Sequence, residues 1–164
     1  IPNKNLFVWT MLNFGEVEIA GVDVHATFDY KICKFLSINL LGNYSFQYAV
    51  DKTDKKSKTY GHQIPYTPLH SGSTSFSLLT PYVDVTYTAL FCGERYAFRQ
   101  NTKENLMPMY VDHSLTVAKD FTIRRVVVLG AKIELLNLAN KHYEIIKNYP
   151  MQGRSFRVGI HLKW

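Results

Sequence analysis

Apolar and polar residues alternate with a period of two along most of the chain. In the first run, Val22, Val24 and Ala26 are separated by Asp23 and His25. Because successive side chains of a strand point to opposite faces, the alternation predicts strands with one apolar and one polar face. Seven such runs follow one another, at residues 16–30, 35–48, 67–79, 82–95, 109–120, 123–137 and 156–164. Residues 6–12 predict an eighth, weaker strand.

The connections between the predicted strands alternate in length. The short ones are 31–34, 80–81 and 119–122, and the long polar ones are 50–65, 95–108 and 139–151. Outer-membrane barrels have short periplasmic turns and long extracellular loops, and their strands need about 9–11 residues to cross the bilayer. The lengths of the strands and of their connections therefore favour a membrane-spanning barrel.

Aromatic residues are predicted to lie at two heights of such a barrel. With the short turns placed in the periplasm, one level contains Tyr30, Phe35, Tyr82, Phe121 and Trp164. The level near the long loops contains Phe46, Tyr48, Tyr96, Tyr110 and Tyr149. Aromatic belts at both interfaces are typical of membrane proteins. A soluble β-sandwich or lipocalin-like barrel also alternates, but its strands are usually about five or six residues long, and it would not explain two aromatic levels.

The composition agrees with a chain built from strands. Aromatic residues make up 14% of the sequence, with 11 Tyr and 10 Phe, and such residues favour strands. Mean hydropathy is -0.13, and no run approaches the roughly 18 consecutive apolar residues of a membrane-spanning helix. Barrel strands average to the hydropathy of a soluble protein because lipid-facing and lumen-facing residues alternate. We therefore predict an all-β fold, an antiparallel up-and-down transmembrane β-barrel segment with seven or eight strands of a larger barrel.

Charge and cysteine content exclude several other classes of protein. The net charge of +6 is concentrated in residues 51–58 and in scattered Arg, without a basic helix, so we predict no nucleic-acid partner. The charge run is typical of a solvated loop, with contact to anionic headgroups of the outer leaflet as the alternative. Cys33 and Cys92 lie far apart without a CxxC motif, which indicates two unlinked thiols.

The sequence does not indicate an enzyme. Six His and many Ser make a Ser/His pair numerically easy, but neither Gly-x-Ser-x-Gly nor His-Glu-x-x-His occurs. No His and carboxylate pair has the spacing of a metal site. We therefore predict no catalytic residues, no metal site and no cofactor, and we interpret each His as a lumen, loop or interface residue.

The chain ends in a strand with an apolar row and an aromatic last residue. The row consists of Phe156, Val158, Ile160, Leu162 and Trp164. This ending resembles the recognition signal that outer-membrane proteins present to the barrel assembly machinery. We therefore name these five residues as a candidate assembly signal.

The last quarter of the sequence contains an Asn-Leu-rich strand end, an aromatic loop and a Pro-Gly-Arg turn before the final strand. The residues of this pattern are Asn137, Tyr143, Pro150, Gly153 and Arg154. The pattern resembles the closing segment of TonB-dependent outer-membrane receptors.

Two further stretches are similar to the same family, so that the resemblance spans nearly all of the chain. Gly-Val-Asp at 21–23 is similar to a Gly-Val-Glu strand opening, and residues 64–70 are similar to a Pro-x-x-Pro-x-His strand entry. The sequence departs from the family pattern at Asp23, where Glu is commoner, and at Gln152, where Pro is usual. Both replacements are conservative in role.

The resemblance implies that residues 1–164 are the C-terminal portion of one β-barrel domain. Such receptors have about 22 strands around a plug, and here the plug and the N-terminal strands would be absent. The chain opens at Ile1 without an initiating Met or a leader, which also indicates a fragment.

The same resemblance implies energised uptake of a scarce bulky ligand across the outer membrane. Family ligands are iron chelates, cobalamin and glycans, and the sequence is slightly more similar to cobalamin receptors. The implied partners are outer-membrane lipid and lipopolysaccharide, the plug domain and the TonB system, the barrel assembly machinery and a surface lipoprotein.

The candidate ligand contacts are aromatic residues of the long loops, namely Tyr96, Phe98, Tyr143 and Tyr149. Gly153 and Arg154 are better interpreted as a tight transition and a structural hydrogen-bonding group than as a ligand site. Two other functions stay open. The chain could form a small eight-stranded anchor or adhesin, although its inward rows of Ser, Thr, Asn and Gly are too small to fill such a barrel. It could also form a soluble β-sandwich binding module.

Overall fold

The computed structural model describes residues 15–123 and 127–164. The predicted eighth strand at 6–12 lies outside these residues. The described chain is built from strands, with a 3₁₀ turn at Lys103–Asn105. The strands, in chain order, are β1 Val17–Cys33, β2 Leu36–Asp51, β3 His70–Leu79, β4 Asp84–Cys92, β5 Arg95–Tyr96, β6 Leu106–Met107, β7 Tyr110–Ile123, β8 Val127–Leu136, β9 Glu144–Ile146, β10 Tyr149–Pro150 and β11 Ser155–Lys163.

The seven long strands form one antiparallel sheet in the order β1-β2-β3-β4-β7-β8-β11. Each strand pairs with the next long strand in the chain, so the sheet is an up-and-down meander, as predicted. The short strands pair separately, β5 with β6 and β9 with β10, inside two of the long connections. Within the described residues the sheet does not close, and β1 and β11 are its two edges.

The register aligns the apolar rows of all seven long strands on one face of the sheet. A single row of cross-strand neighbours runs through Phe28, Leu40, Phe76, Tyr87, Leu115, Leu135 and Phe156. The adjacent row on the opposite face runs through Asp29, Asn39, Ser77, Thr86, Thr116, Glu134 and Arg157. The predicted alternation within strands therefore becomes a continuous apolar face and a continuous polar face.

The apolar face is exposed along much of its length. Phe28 is 56% exposed and Ile160 is 75% exposed. The buried apolar residues of the described chain lie instead at the end of the sheet where the long connections are, namely Ala49, Val50, Ala97, Met107 and Tyr110. The packed core is thus beneath the loops, not against a face of the sheet.

Two predicted short connections are displaced. Residues 31–33 belong to β1, so that the first turn is confined to residues 34–35. Residues 119–122 belong to β7 and pair with residues 128–131 of β8. Their alternation continues because Lys119 and Phe121 align with Ala131 and Leu129 on the apolar face. Asp120 lies on the polar face of β7, where a charged side chain is compatible with a strand. In the described ranges, no helix is long and apolar enough to cross a membrane.

Candidate functional site

The candidate site is the group of three long loops at one end of the sheet, which we call the outer end after the orientation that the sequence predicts. We define loop 1 as residues 52–69, loop 2 as 93–109 and loop 3 as 137–154. Loop 1 folds back on β2, because Val50 and Gln63 form an antiparallel bridge. The Gln63 side chain donates to the carbonyl oxygens of Gln47 and Thr67 at 3.2 and 3.1 Å. Loop 1 is therefore a fixed cover over the outer end of β2.

Loop 2 is joined to β2 by an ion pair. The Arg99 guanidinium lies 2.5 Å from the Asp51 carboxylate, and Asp51 is only 3% exposed. Thr53 and Thr59 donate to the same carboxylate at 3.0 and 3.2 Å. Burial alone would raise the pKa of Asp51, but the hydrogen bonds from Arg99 and the two threonines outweigh it and hold the pKa below its usual range.

Loop 2 is joined to loop 3 by Arg95, which is 3% exposed. Its guanidinium donates to the Glu144 carbonyl oxygen at 2.5 Å and to the Pro108 carbonyl oxygen at 3.5 Å. It also lies over the Tyr110 ring, 5.2 Å from the ring centre. Sequence reasoning did not single out Arg95, since an Arg in a polar loop usually reaches solvent and its carbonyl partners come from distant residues.

Tyr110 corrects the predicted upper aromatic level. It lies at the outer end of β7 but on the polar face, opposite Cys92, and is 7% exposed. Its ring stacks on Tyr143 with centres 4.3 Å apart, and the Tyr143 hydroxyl donates to Asp112 at 2.8 Å. Burial and the nearby Asp112 carboxylate raise the pKa of Tyr143. Tyr110 is therefore part of the loop core instead of a lipid-facing belt.

The residues that carried the family resemblance are brought together in loop 3. Asn137 adopts a positive φ of 49° and is buried. Its amide nitrogen donates to the Lys141 and Gln152 carbonyl oxygens at 2.9 and 3.1 Å, and its Oδ1 accepts from the Lys141 amide at 2.9 Å. These bonds hold the two ends of the loop against each other.

The second half of the motif is fixed through Asn140. Its Oδ1 accepts from the Arg154 amide at 2.9 Å, and a Cβ on Gly153 would lie 3.0 Å from that oxygen. A side chain at position 153 would therefore crowd the Asn140 side chain. The Arg154 side chain is exposed, and Pro150 lies in β10.

The four aromatic ligand candidates do not converge on one point. Tyr143 is packed against Tyr110, and Tyr149 is exposed on β10. Phe98 is half-buried, with the Lys147 ammonium 5.9 Å from its ring centre. Tyr96 is half-buried in β5, and its carbonyl oxygen accepts from the Tyr66 amide at 2.8 Å. Of the four, Tyr143 lines a hollow between loops 2 and 3.

Two histidines on the apolar face have hydrogen-bond partners there. The Tyr44 hydroxyl is 2.8 Å from Nδ1 of His70, and the Tyr87 hydroxyl is 2.6 Å from Nδ1 of His113. The rings of both pairs are stacked. Pairing in this way lowers the cost of placing an imidazole on an apolar surface. Within the described ranges no group of three or more His, Cys, Asp or Glu could hold a metal ion.

The candidate assembly signal lies on the edge strand β11 and just beyond it. Its five apolar side chains share the apolar face, and their exposed fractions run from 56% for Leu162 to 88% for Trp164. Among the described strands, β11 pairs with β8 along one side and has no neighbour along the other.

Comparison with known proteins gives a likeness at the level of structure. No family model matches the chain, and no curated protein is similar to it. The structure is similar to the crystal structure of the siderophore receptor PiuA from Acinetobacter baumannii, with a TM-score of 0.67 and 19% sequence identity. The match covers 89% of this chain and 22% of that one, so the chain spans about a fifth of that receptor's length. The two share an antiparallel β architecture.

Proposed function

We propose that the chain is a C-terminal part of the barrel wall of a TonB-dependent outer-membrane receptor. The observation that carries the proposal is the exposed apolar row that crosses all seven long strands. A soluble β-sandwich would cover such a row with a second layer, whereas a barrel wall turns it toward lipid. The likeness to part of a siderophore receptor supports the same proposal.

The proposed role of the whole protein is import of a scarce bulky ligand, with this chain supplying wall and three outer loops. A siderophore is the ligand class suggested by the name of the similar receptor. Cobalamin is suggested by the sequence resemblance alone, and a glycan is the third class. The proposed partners are outer-membrane lipid and lipopolysaccharide, a plug domain, the TonB system, the barrel assembly machinery and a surface lipoprotein. The chain has no proposed catalytic role.

A small eight-stranded anchor is the less favoured function. Its lumen would have to be filled by side chains, but the polar face of β3 presents Ser71, Ser73, Ser75 and Ser77, and its neighbour β4 presents Thr86 and Thr88. Small hydroxyl residues over two adjacent strands suit the wall of a wider barrel.

Fractionation and surface labelling test the proposal. The protein should sediment with the outer membrane after alkaline carbonate washing and require detergent for release. A Cys introduced as Lys56→Cys in loop 1 should react with a membrane-impermeant maleimide on intact cells. Cys33, exposed at the end of β1 beside a short turn, is the internal control and should react only after the outer membrane is permeabilised. Release without detergent would contradict the membrane assignment, and labelling of Cys33 on intact cells would contradict the orientation.

A further inference from the structure

A hollow of about 580 Å³ lies between loops 2 and 3. Residues 107–109 line one side, and residues 141–144 with Pro150 line the other. Its volume lies within the roughly 300–1,000 Å³ that is usual for small-molecule sites.

The walls of the hollow are held in place by contacts behind them. Arg95 donates to the carbonyl oxygens of both Pro108 and Glu144, so one buried guanidinium fixes the two opposite sides. Tyr143 is held by its stack on Tyr110 and by its hydrogen bond to Asp112. The Met151 amide donates to the Tyr143 carbonyl oxygen at 2.9 Å. A site with fixed walls loses less entropy when a ligand binds.

The interior of the hollow is apolar and polarizable. Met107 is 3% exposed, and Pro108, Met109 and Pro150 add further apolar surface. Methionine sulfur makes favourable contacts with aromatic rings, and the flexible side chain adapts to their shape. This surface suits a flat, unsaturated body.

A positive charge without a partner lies at the rim of the hollow. Among the described residues, the Lys141 ammonium forms no hydrogen bond or ion pair, and the residue is exposed. The Glu144 carboxylate is also charged, but it is half-buried and accepts from the Asn148 amide at 2.9 Å. An ammonium without a partner beside an apolar hollow favours a ligand with a negative end.

We infer that this hollow binds an organic anion with a flat apolar body, such as an aromatic carboxylate or sulfonate. The ligand's ring contacts Met109 and the small exposed part of Met107, and its anionic group contacts Lys141. The inference rests on the proposed function, because the hollow then opens to the outside of the cell.

The test uses the protein that carries this chain, in lipid nanodiscs, with ¹³C-methyl-methionine labelling. The probe is naphthalene-1-sulfonate, and the uncharged comparison is naphthalene-1-methanol. We expect the methyl signals of Met107 and Met109 to shift saturably with the sulfonate, and to shift less at the same concentration of the uncharged alcohol. Lys141→Gln should weaken sulfonate binding about tenfold, the scale of one lost hydrogen bond to a charged group. Lys103→Gln, at an exposed site in loop 2, should leave binding unchanged.

Three results would overturn the inference: signals of Met107 and Met109 that do not move, equal affinity for the sulfonate and the alcohol, or equal loss in the two lysine variants. Each of these three results can be obtained with a protein that fractionates with the outer membrane. In that case the proposed function is kept and only the binding site is refuted. The protein could instead be absent from the outer membrane and still bind the sulfonate at Met107 and Met109. That result would refute the proposed function and support the binding site.

Discussion

The carboxylate of Asp51 at the outer end of β2 and the guanidinium of Arg99 in loop 2 form a hydrogen-bonded ion pair of 2.5 Å. The two residues are 48 positions apart in the sequence. Asp51 also binds Thr53 and Thr59 of loop 1, so its carboxylate joins the first two loops. The outer loops are therefore a connected layer, and its stability should depend on this side chain.

Asp51→Asn should loosen loop 1 without unfolding the sheet. The buried acceptor loses its charge while Arg99 stays partly hydrated, so we expect the opening free energy of loop 1 to fall by about 1–3 kcal/mol. The readout is hydrogen exchange at the amides of Gly61 and Ile64, which donate to Asp51 and Ala49. Glu18→Gln is the control, because it removes only the exposed pair with Lys52 and should change nothing measurable.

The same ion pair makes the loop layer sensitive to acid. Folding lowers the pKa of Asp51, so the unfolded state takes up its proton at a higher pH than the folded state. The ion pair therefore stabilises the loop layer fully above the ordinary carboxyl pKa. This stabilisation is lost as the pH falls through and below that value. Protection factors at Gly61 and Ile64 should decline over this range in the wild type and stay flat in Asp51→Asn. A parallel decline in both proteins would contradict the assignment.

A charge placed on each face of β3 should identify the face that meets lipid. Phe76 belongs to the apolar row and Ser75, its neighbour in sequence, to the polar face. In lipid vesicles, Phe76→Arg should lower the free energy of unfolding in urea by about 2–4 kcal/mol. Ser75→Arg should have a much smaller effect because a lumen-facing side chain reaches water. The opposite order would place the apolar rows inside the protein and would refute the membrane assignment.

The strands were predictable from sequence because strand alternation is a local signal. The apolar row through Phe28 and Phe76 depends only on each strand's own pattern and on hairpin pairing between neighbours. The predicted connection at 119–122 was wrong because the alternation of β7 continues through it. On the polar face of a strand, a charged residue such as Asp120 does not mark the end of the strand.

The loop layer was not predictable in the same way. Arg95 contacts Glu144 across 49 positions, and no local pattern signals such a contact. Tyr110 was predicted at the correct end of its strand but on the wrong face of the sheet. Its aromatic character was considered without asking which face of β7 this position occupies. Asn137 and Gly153 were recognised from their motif, but their hydrogen-bonding partners became known only from the structure.

Gly130 provides a test of packing on the polar face. The His161 imidazole of β11 lies over Gly130 of β8 and reaches to 3.5 Å from the Asp120 carboxylate of β7. A Cβ at position 130 would overlap this imidazole. Gly130→Ala should therefore displace the exposed His161 side chain from Asp120 and make this substitution less favourable than Gly159→Ala by up to about 1 kcal/mol of unfolding free energy. Gly159→Ala is the matched control on the same face, where the new Cβ meets only the Lys132 side chain at 3.9 Å. Equal costs in urea unfolding would show that His161 does not occupy this space.

Asn137 and Asn140 allow the hydrogen bonds of loop 3 to be separated from its backbone strain. Both residues have φ of 49°, so replacement by Ala adds similar strain at each. Asn137→Ala also removes three hydrogen bonds of a buried side chain, whereas Asn140→Ala removes one bond at an exposed position. We expect Asn137→Ala to cost about 2–3 kcal/mol more than Asn140→Ala in the opening of loop 3. Hydrogen exchange should locate the effects, with the Lys141 amide losing protection in Asn137→Ala and the Arg154 amide in Asn140→Ala. If Asn140→Ala proved the costlier change, Asn137 would not hold the loop, and the family motif would need another physical explanation.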